Sequence, residues 1–413
     1  MNLVDKAQKI LQQPVCDHCL GRQFGQLLSG FGNEQRGSIM RTLAAMAVDK
    51  EDYKGDIDFS NFAGYSFHNL ELKQTFPKSL TKRETEKCSV CFGLFEKLPQ
   101  WLKKIEAKAK NQEFRTFLIG TKLSSALIGA EEDLWERVGI DYCEPLKAEI
   151  NREIGKTVER KFGVRFNPKN PDVNFILDFD SGSVSIEVNP LFIYGEYQKL
   201  IRGIPQTRWP SRKYRTSVEQ IIAKPFMKAT HGAAHAFHGM GREDIDARCL
   251  AWRPFVLEIS RPRIRSVDLK KLPRQIPKKV RVRNLKFSGI NEVRAIKEAK
   301  ADKTYRAVVE CSDKINKNDL KRLSALVATI YQKTPRRVLH RRADKGRKRA
   351  VRSIKAKYLG PKKFLFVVRG EGGLYIKELV SGDEGRTRPS VAELLGTACS
   401  CRDLDVIKIH VKK

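Results

Sequence analysis

No run of apolar residues in this 413-residue chain approaches the roughly 18 needed for a membrane-spanning helix, so no membrane anchor is expected. The stretch Met1 to Val15 is broken by Asp5, Lys6, Lys9 and Gln12 and holds no secretory h-region. Nine cysteines, an odd number without a regular framework, argue against a disulfide scaffold. A reducing compartment follows, and the expected location is cytoplasmic. Nucleotide loops are also missing. Gly155-Lys156-Thr157 imitates the end of a phosphate loop, but the position that needs the first glycine is Ile150. Gly370-Glu371-Gly372-Gly373 does not fit G-x-G-x-x-G and reads instead as a close backbone turn. No nucleotide cofactor is therefore expected, and the lack of such a loop agrees with a reaction that needs no organic cofactor.

Acid is scarce: 48 Asp and Glu stand against 80 Lys and Arg, for a formal net charge of +32. At 41% hydrophobic residues the chain has enough apolar material for buried cores and is not a disordered basic tail. Excess positive charge favours contact with a polyanion through counterion release. Nucleic acid is the leading reading of that polyanion, ahead of a generally basic, solvated surface and of a membrane surface. The length suggests roughly two to three domains, without internal repeats.

Up to about Leu98 the chain shows short helical patches. Ile39, Met40, Leu43, Ala44, Met46 and Val48 carry a helical rhythm. Thr116 to Gly120 reads as a strand, and Pro145 to Phe162 as a helix with Leu146, Ile150, Ile154, Val158 and Phe162 every four residues. Phe175 to Phe179 and Val184 to Val188 flank Asp180-Ser181-Gly182-Ser183, a hairpin signal. A small α/β domain ending near Gly195 is expected, then a Pro-bounded basic linker through Trp209. From Ser217 the pattern reads as one larger, strand-dominated α+β domain. Strands are expected at Phe255 to Ile259, Val280 to Phe287, Thr304 to Cys311, Arg336 to His340, Val351 to Tyr358, Lys363 to Val368 and Val406 to Val411. Helices are expected at Lys314 to Tyr331, Leu374 to Val380 and Val391 to Leu395. The basic run Arg341 to Lys357 reads as an extended loop and strand.

Two motifs carry chemistry. Cys16-x-x-Cys19 and Cys88-x-x-Cys91 are paired knuckles whose four thiolates suit tetrahedral zinc. Gly21 and Gly93 follow them and give the chain room to turn. His18, inside the first pair, is the lesser candidate ligand. A redox pair or unrelated buried thiols remain the other readings. The remaining cysteines, Cys143, Cys249, Cys311, Cys399 and Cys401, read as small apolar residues. The second motif is Gly241-Arg242-Glu243-Asp244-Ile245-Asp246-Ala247-Arg248, an acidic cluster in a basic chain. In extended backbone Arg242, Asp244, Asp246 and Arg248 share a face. An arginine beside an aspartate keeps the carboxylate ionised, as a nucleophile requires. A surface ion-pair ladder fits the same spacing.

That cluster, with Arg253-Pro254-Phe255 after it, resembles the active-site signature of the Pus-ten family of tRNA pseudouridine synthases. Lys303-Thr304-Tyr305-Arg306-Ala307 is similar to the family's K-x-Y-x-A segment. Gln332-Lys333-Thr334-Pro335 with Arg337 to Arg342 is similar to its basic strand. Gly372 to Glu378 and Gly382 to Ser390 are similar to its C-terminal signature. Where the family runs through a glycine toward Arg-Pro-Phe, this chain has Cys249-Leu250-Ala251-Trp252.

The resemblance implies an α+β fold: a pseudouridine-synthase domain on a mainly antiparallel mixed sheet, preceded by a zinc-knuckle region and a THUMP-like α/β RNA-binding domain. The boundaries expected are 1–98 for the knuckle region, 99–200 for the THUMP-like domain, 201–216 for a linker and 217–413 for the catalytic domain. The implied reaction isomerises uridine in the T arm of tRNA, at positions 54 and 55. The N-glycosidic bond breaks, uracil rotates and a C–C bond forms, with the target base flipped from its stack. The implied nucleophile is Asp244, with Asp246 next in line. Tyr305 would stack on the base, Tyr375 line its pocket, Arg242 face the RNA, and Lys377 pair with Asp244. Arg208, Arg212, Lys213, Arg337, Arg341 and Arg342 are candidate phosphate contacts. The partner expected is tRNA, with structural zinc at Cys16, Cys19, Cys88 and Cys91, no membrane, and a monomeric chain. A non-catalytic tRNA-binding or chaperone protein is the alternative; it has no use for Asp244 and Tyr305 together.

Overall fold

A computed structural model describes residues 2–50, 56–65, 87–211 and 213–411. The chain divides into two compact units, Met1–Asn189 and Pro190–Lys413. In the first, α1 (Leu3–Ile10), α2 (Asp17–Gly21), α3 (Asn33–Asp49) and α4 (Leu98–Ala109) precede β1 (Thr116–Lys122), α5 (Ser125–Val138), α6 (Leu146–Phe162), β2 (Arg165–Phe166), β3 (Val173–Asp178) and β4 (Ser183–Val188). The sheet order is β2-β1-β3-β4. Strand β1 runs parallel to β2 and β3, and β3–β4 is the expected hairpin. Asp178 Oδ1 closes the turn by accepting from the Asp180 and Ser181 amides at 3.1 and 3.0 Å. Leu146, Ile150, Ile154 and Val158 are buried, as their four-residue spacing requires.

Helix α3 follows its rhythm only on one side. Met40, Ala44 and Val48 are buried, whereas Ile39, Leu43 and Met46 are exposed. Its contact with α2 is glycine-to-backbone. A Cβ at Gly21 would meet Asn33 O at 1.8 Å, and one at Gly37 would meet Asp17 O at 1.9 Å. Gly21 therefore serves close packing inside a helix rather than a turn. Gly93, at φ 74°, does turn the chain.

The second unit comprises β5 (Leu191–Lys199), α7 (Val218–Thr230), β6 (Ala234–Gly239), β7 (Arg248–Ser260), β8 (Val280–Ser288), α8 (Ile290–Glu298), β9 (Asp302–Cys311), β10 (Thr329–Gln332), β11 (Arg347–Gly360), β12 (Lys363–Gly370), α9 (Ile376–Ser381), β13 (Thr387–Arg388), α10 (Val391–Leu395) and β14 (Cys399–His410). Its ten strands form one sheet, ordered β13-β10-β11-β12-β9-β14-β7-β5-β8, with β6 also on β7. Only β14–β7 is parallel among these pairings, so the mixed, mainly antiparallel α+β expectation holds.

Three local expectations are corrected. Strand β5, expected within the THUMP-like region, pairs with β7 and β8 in the second unit. The boundary of the two units thus falls at Asn189/Pro190, and residues 201–216 lie inside the second unit. The helix expected over Lys314 to Tyr331 is a 3-10 turn, Asp319–Leu326, followed by β10. Leu320, Leu323 and Leu326 are buried at a spacing of three, the 3-10 period, and the β-branched Thr329 and Ile330 extend. The strand expected at Arg336 to His340 is a 3-10 turn, Arg336–Arg341. Pro335 ahead of it offers no amide to a ladder.

Candidate active site

The Gly241–Ala247 segment is the loop joining β6 to β7, and buried side chains fasten it from several sides. Gly241 turns at φ 73°. The Lys199 ammonium, fully buried at the end of β5, donates to Asp244 O at 3.0 Å, Ile245 O at 3.2 Å and Ile204 O at 3.0 Å. Burial pushes that ammonium's pKa down, and nearby Glu243 opposes the shift. Glu243 points into the core, 3.0 Å from Arg253 Nε, and accepts from the Tyr197 hydroxyl at 3.0 Å. Gln206 Nε2 donates to Tyr197 Oη at 2.8 Å and to Gly241 O at 2.9 Å. Arg202 Nη1 donates to Asp246 O at 2.9 Å. Backbone carbonyls that a free loop would offer to water are thus taken up by fixed donors.

The Asp244 carboxylate emerges from this support, about one-third exposed, between two cations. Arg337 lies 3.2 Å from Oδ1 and 3.1 Å from Oδ2; Lys377 Nζ lies 3.7 Å from Oδ2. Lys377 is closer to Asp246, at 2.6 Å. Asp246 is twice as exposed as Asp244, at 65% against 32%. Its burial works to raise its pKa, but the Lys377 hydrogen bond outweighs this and holds it below the usual range. Arg337 is itself oriented by buried Glu378, Nε to Oε1 at 2.7 Å, the bidentate habit of guanidinium. The Lys377 pairing read from the resemblance is therefore shared with Arg337, read there as a phosphate contact.

Tyr305 stands on β9, its hydroxyl pushed up to about 12 by burial, with Asp244 among the charges acting on it. Tyr375 begins α9. Gln332 brackets its backbone with two 2.9 Å hydrogen bonds, and Arg342 donates to its hydroxyl at 2.9 Å. Arg242 is exposed and lies over the Trp209 ring, 5.8 Å from its centroid. Arg208 and Lys213 are exposed. Arg212 lies outside the described residues, as does the side chain of Arg341. Sequence spacing missed Glu243, Lys199, Arg253 and Glu378. Lys199 and Arg253 carried a signal, charge within the apolar strands β5 and β7, whereas Glu243 on the loop and Glu378 on α9 carried none.

In the first unit the four thiols of Cys16, Cys19, Cys88 and Cys91 converge, all Sγ atoms lying within 4.8 Å of one another. Cys16 and Cys91 are 3.6 Å apart. Tetrahedral thiolates about 2.3 Å from one ion would stand about 3.8 Å apart. Four free thiols, three of them buried, suit a metal ion. His18 is not in the cluster. It bonds Glu149 at 2.8 Å and stacks on Phe95 at 4.0 Å. Among the described residues, no helix is long and apolar enough to cross a membrane.

Residues 192–410 match the family model described as Pus10, C-terminal, and residues 101–178 match Pus10 THUMP domain, archaeal. The "tRNA pseudouridine synthase Pus10" of Methanocaldococcus jannaschii is 40% identical over 96% of this chain and 92% of its own. That of Pyrococcus furiosus is 39% identical over 98% of each. Among solved structures, a Cbf5-Nop10-Gar1 complex is similar at TM-score 0.32 and 15% identity over 51% of this chain and 47% of that one. A THUMP domain followed by a pseudouridine-synthase domain defines an RNA-modifying isomerase. The chain belongs to the Pus10 family of tRNA pseudouridine synthases.

Proposed function

We propose that the chain isomerises uridines 54 and 55 in the T arm of tRNA, with Asp244 as the nucleophile. The observation that carries this reading is the Asp244 carboxylate: recessed, accessible, and held between Arg337 and Lys377 on a loop fixed by Lys199 and Glu243. Two cations flank the carboxylate and fix its direction, which a nucleophile needs. Asp246, more exposed and tied to Lys377, draws that cation alongside Asp244.

Tyr305 stacks on the flipped base, and Tyr375 lines its pocket. Arg242 with Trp209, and Arg208, Lys213 and Arg342, grip the phosphates around the target. Arg212 and Arg341 belong to the same expectation. The THUMP domain and the cysteine region hold the rest of the tRNA, and zinc is the metal at the four thiols. The enzyme acts as a monomer in the cytoplasm.

Replacing Asp244 with Ala tests the central claim. Tritium release from uridine-labelled tRNA should fall by at least about a thousandfold, while tRNA affinity stays nearly unchanged. A variant that still forms pseudouridine moves the role to Asp246.

A further inference from the structure

Four charged side chains lie buried around the Gly241–Ala247 loop: Lys199, Arg253 and Lys303, with Glu243 as the single carboxylate. Lys199 is matched by three carbonyl oxygens, and Arg253 by Glu243 and by Met240 O at 2.8 Å. Lys303 is different. It is 9% exposed, yet among the described residues its ammonium reaches one acceptor, Ala301 O, at a long 3.5 Å, and no carboxylate within ion-pair distance. Burial, and then the like charge of Arg253, push it down to about 8. A cation desolvated without a partner is costly to the fold and marks functional sites.

Its surroundings point the same way. A Cβ at Gly241 would stand 3.2 Å from Lys303 Nζ and 3.3 Å from Arg253 Nη1; one at Gly372 would stand 3.7 Å from the same Nζ. Gly241 opens the Asp244 loop, and Gly372 precedes Tyr375 and Lys377. Lys303 thus lies where the two loops that carry the site approach each other. It is two residues from Tyr305 on β9, and alternate residues of a strand share a face.

We propose that Lys303 is a further catalytic residue, whose ammonium donates to a carbonyl oxygen of the target uracil and stabilises the negative charge the ring acquires. This rests on the isomerase reading above. When C1′–N1 breaks, its electron pair stays on uracil and the ring becomes an anion. If Asp244 adds to C6 first, the ring is already an enolate. Either route places charge on the ring oxygens. After rotation C5 forms the bond to C1′, and the Asp244 carboxylate leaves the carbon it had bonded, C1′ or C6, taking its electron pair with it. The C5 proton is lost to water and N1 takes one up, so substrate and product are isomers. A fixed cation in a water-poor pocket acts where that charge develops.

The test is Lys303→Met, similar in length and uncharged, with Lys303→Gln alongside. Three quantities are measured: the single-turnover rate of pseudouridine formation, tRNA affinity and melting temperature. The Met variant should lose at least about a hundredfold in rate, as loss of one preorganised donor does. Affinity should stay within about threefold, because phosphate contacts dominate it. Its melting temperature should equal or exceed wild type, since an unmatched buried cation is gone. A rate within about threefold of wild type overturns the proposal. So does a rate that falls only together with melting temperature, the mark of a structural lysine. A Met variant that fails to fold counts against it unless the Gln variant folds and shows the rate loss alone. Wild-type protein that forms no pseudouridine overturns the isomerase reading instead.

Discussion

Asp405 shows how much positive charge one carboxylate organises in this protein. Only 3% exposed, it accepts from Arg248 at 2.8 Å through both oxygens, from Arg202 at 2.8 Å and from Arg306 at 3.0 Å. Burial alone would raise its pKa, and the hydrogen bonds from Arg248 and Arg306 outweigh that, leaving it below the usual range. A carboxyl depressed in the folded state adds stability above its unfolded value, about 3.9, and loses it as pH falls through the lower folded value. The stability difference between wild type and Asp405→Asn should therefore be full near neutrality and shrink below about pH 4. Urea titrations of both proteins across that range read it directly, and a constant difference would refute the assignment. At this scale the sequence was readable where a pattern crosses few residues. Asp244 stood out as acid among basic residues. The partners that fix it did not, because Arg337 and Lys199 reach it from 93 residues ahead and 45 behind, and Glu378, which orients Arg337, lies 134 ahead. Glu243 adjoins Asp244 in sequence and points to the core instead, which spacing cannot tell.

Elements declared themselves when their period was uniform. Helix α6 and the β3–β4 hairpin had continuous four-residue and alternating patterns, and both formed near their expected bounds. Short leucine turns at a spacing of three looked helical until packing fixed their period. Strand β5 alternates cleanly, with Leu191, Ile193, Tyr197 and Lys199 buried, but nothing local states which sheet it joins. Its partners are β7 and β8, far along the chain. The consequence is testable. A fragment beginning at Ser217 lacks Tyr197 and Lys199 and leaves β7 and β8 without the strand between them. It should be insoluble or inactive, whereas one beginning at Pro190 should fold with a cooperative melting transition. A folded, active fragment from Ser217 would mean that the Asp244 loop holds its shape without Tyr197 and Lys199.

For the molecule as a whole, class was legible from charge and motif order, and the division into units from no local signal. Metal analysis of purified protein should find about one zinc per chain, and chelation should lower the melting temperature of the first unit, because binding free energy at a structural site is folding free energy. A metal-free chain of unchanged stability would reduce the four thiols to a chance cluster. The cluster also bears on how this family can vary. Once a metal joins Cys16 and Cys19 to Cys88 and Cys91, the chain between them is a closed ring, anchored at both ends by coordination. Closure entropy rises only with the logarithm of ring size, so even doubling the ring would cost only about 0.6 kcal/mol. Insertions and deletions should be tolerated among relatives between Cys19 and Cys88, while the spacing within each cysteine pair stays fixed.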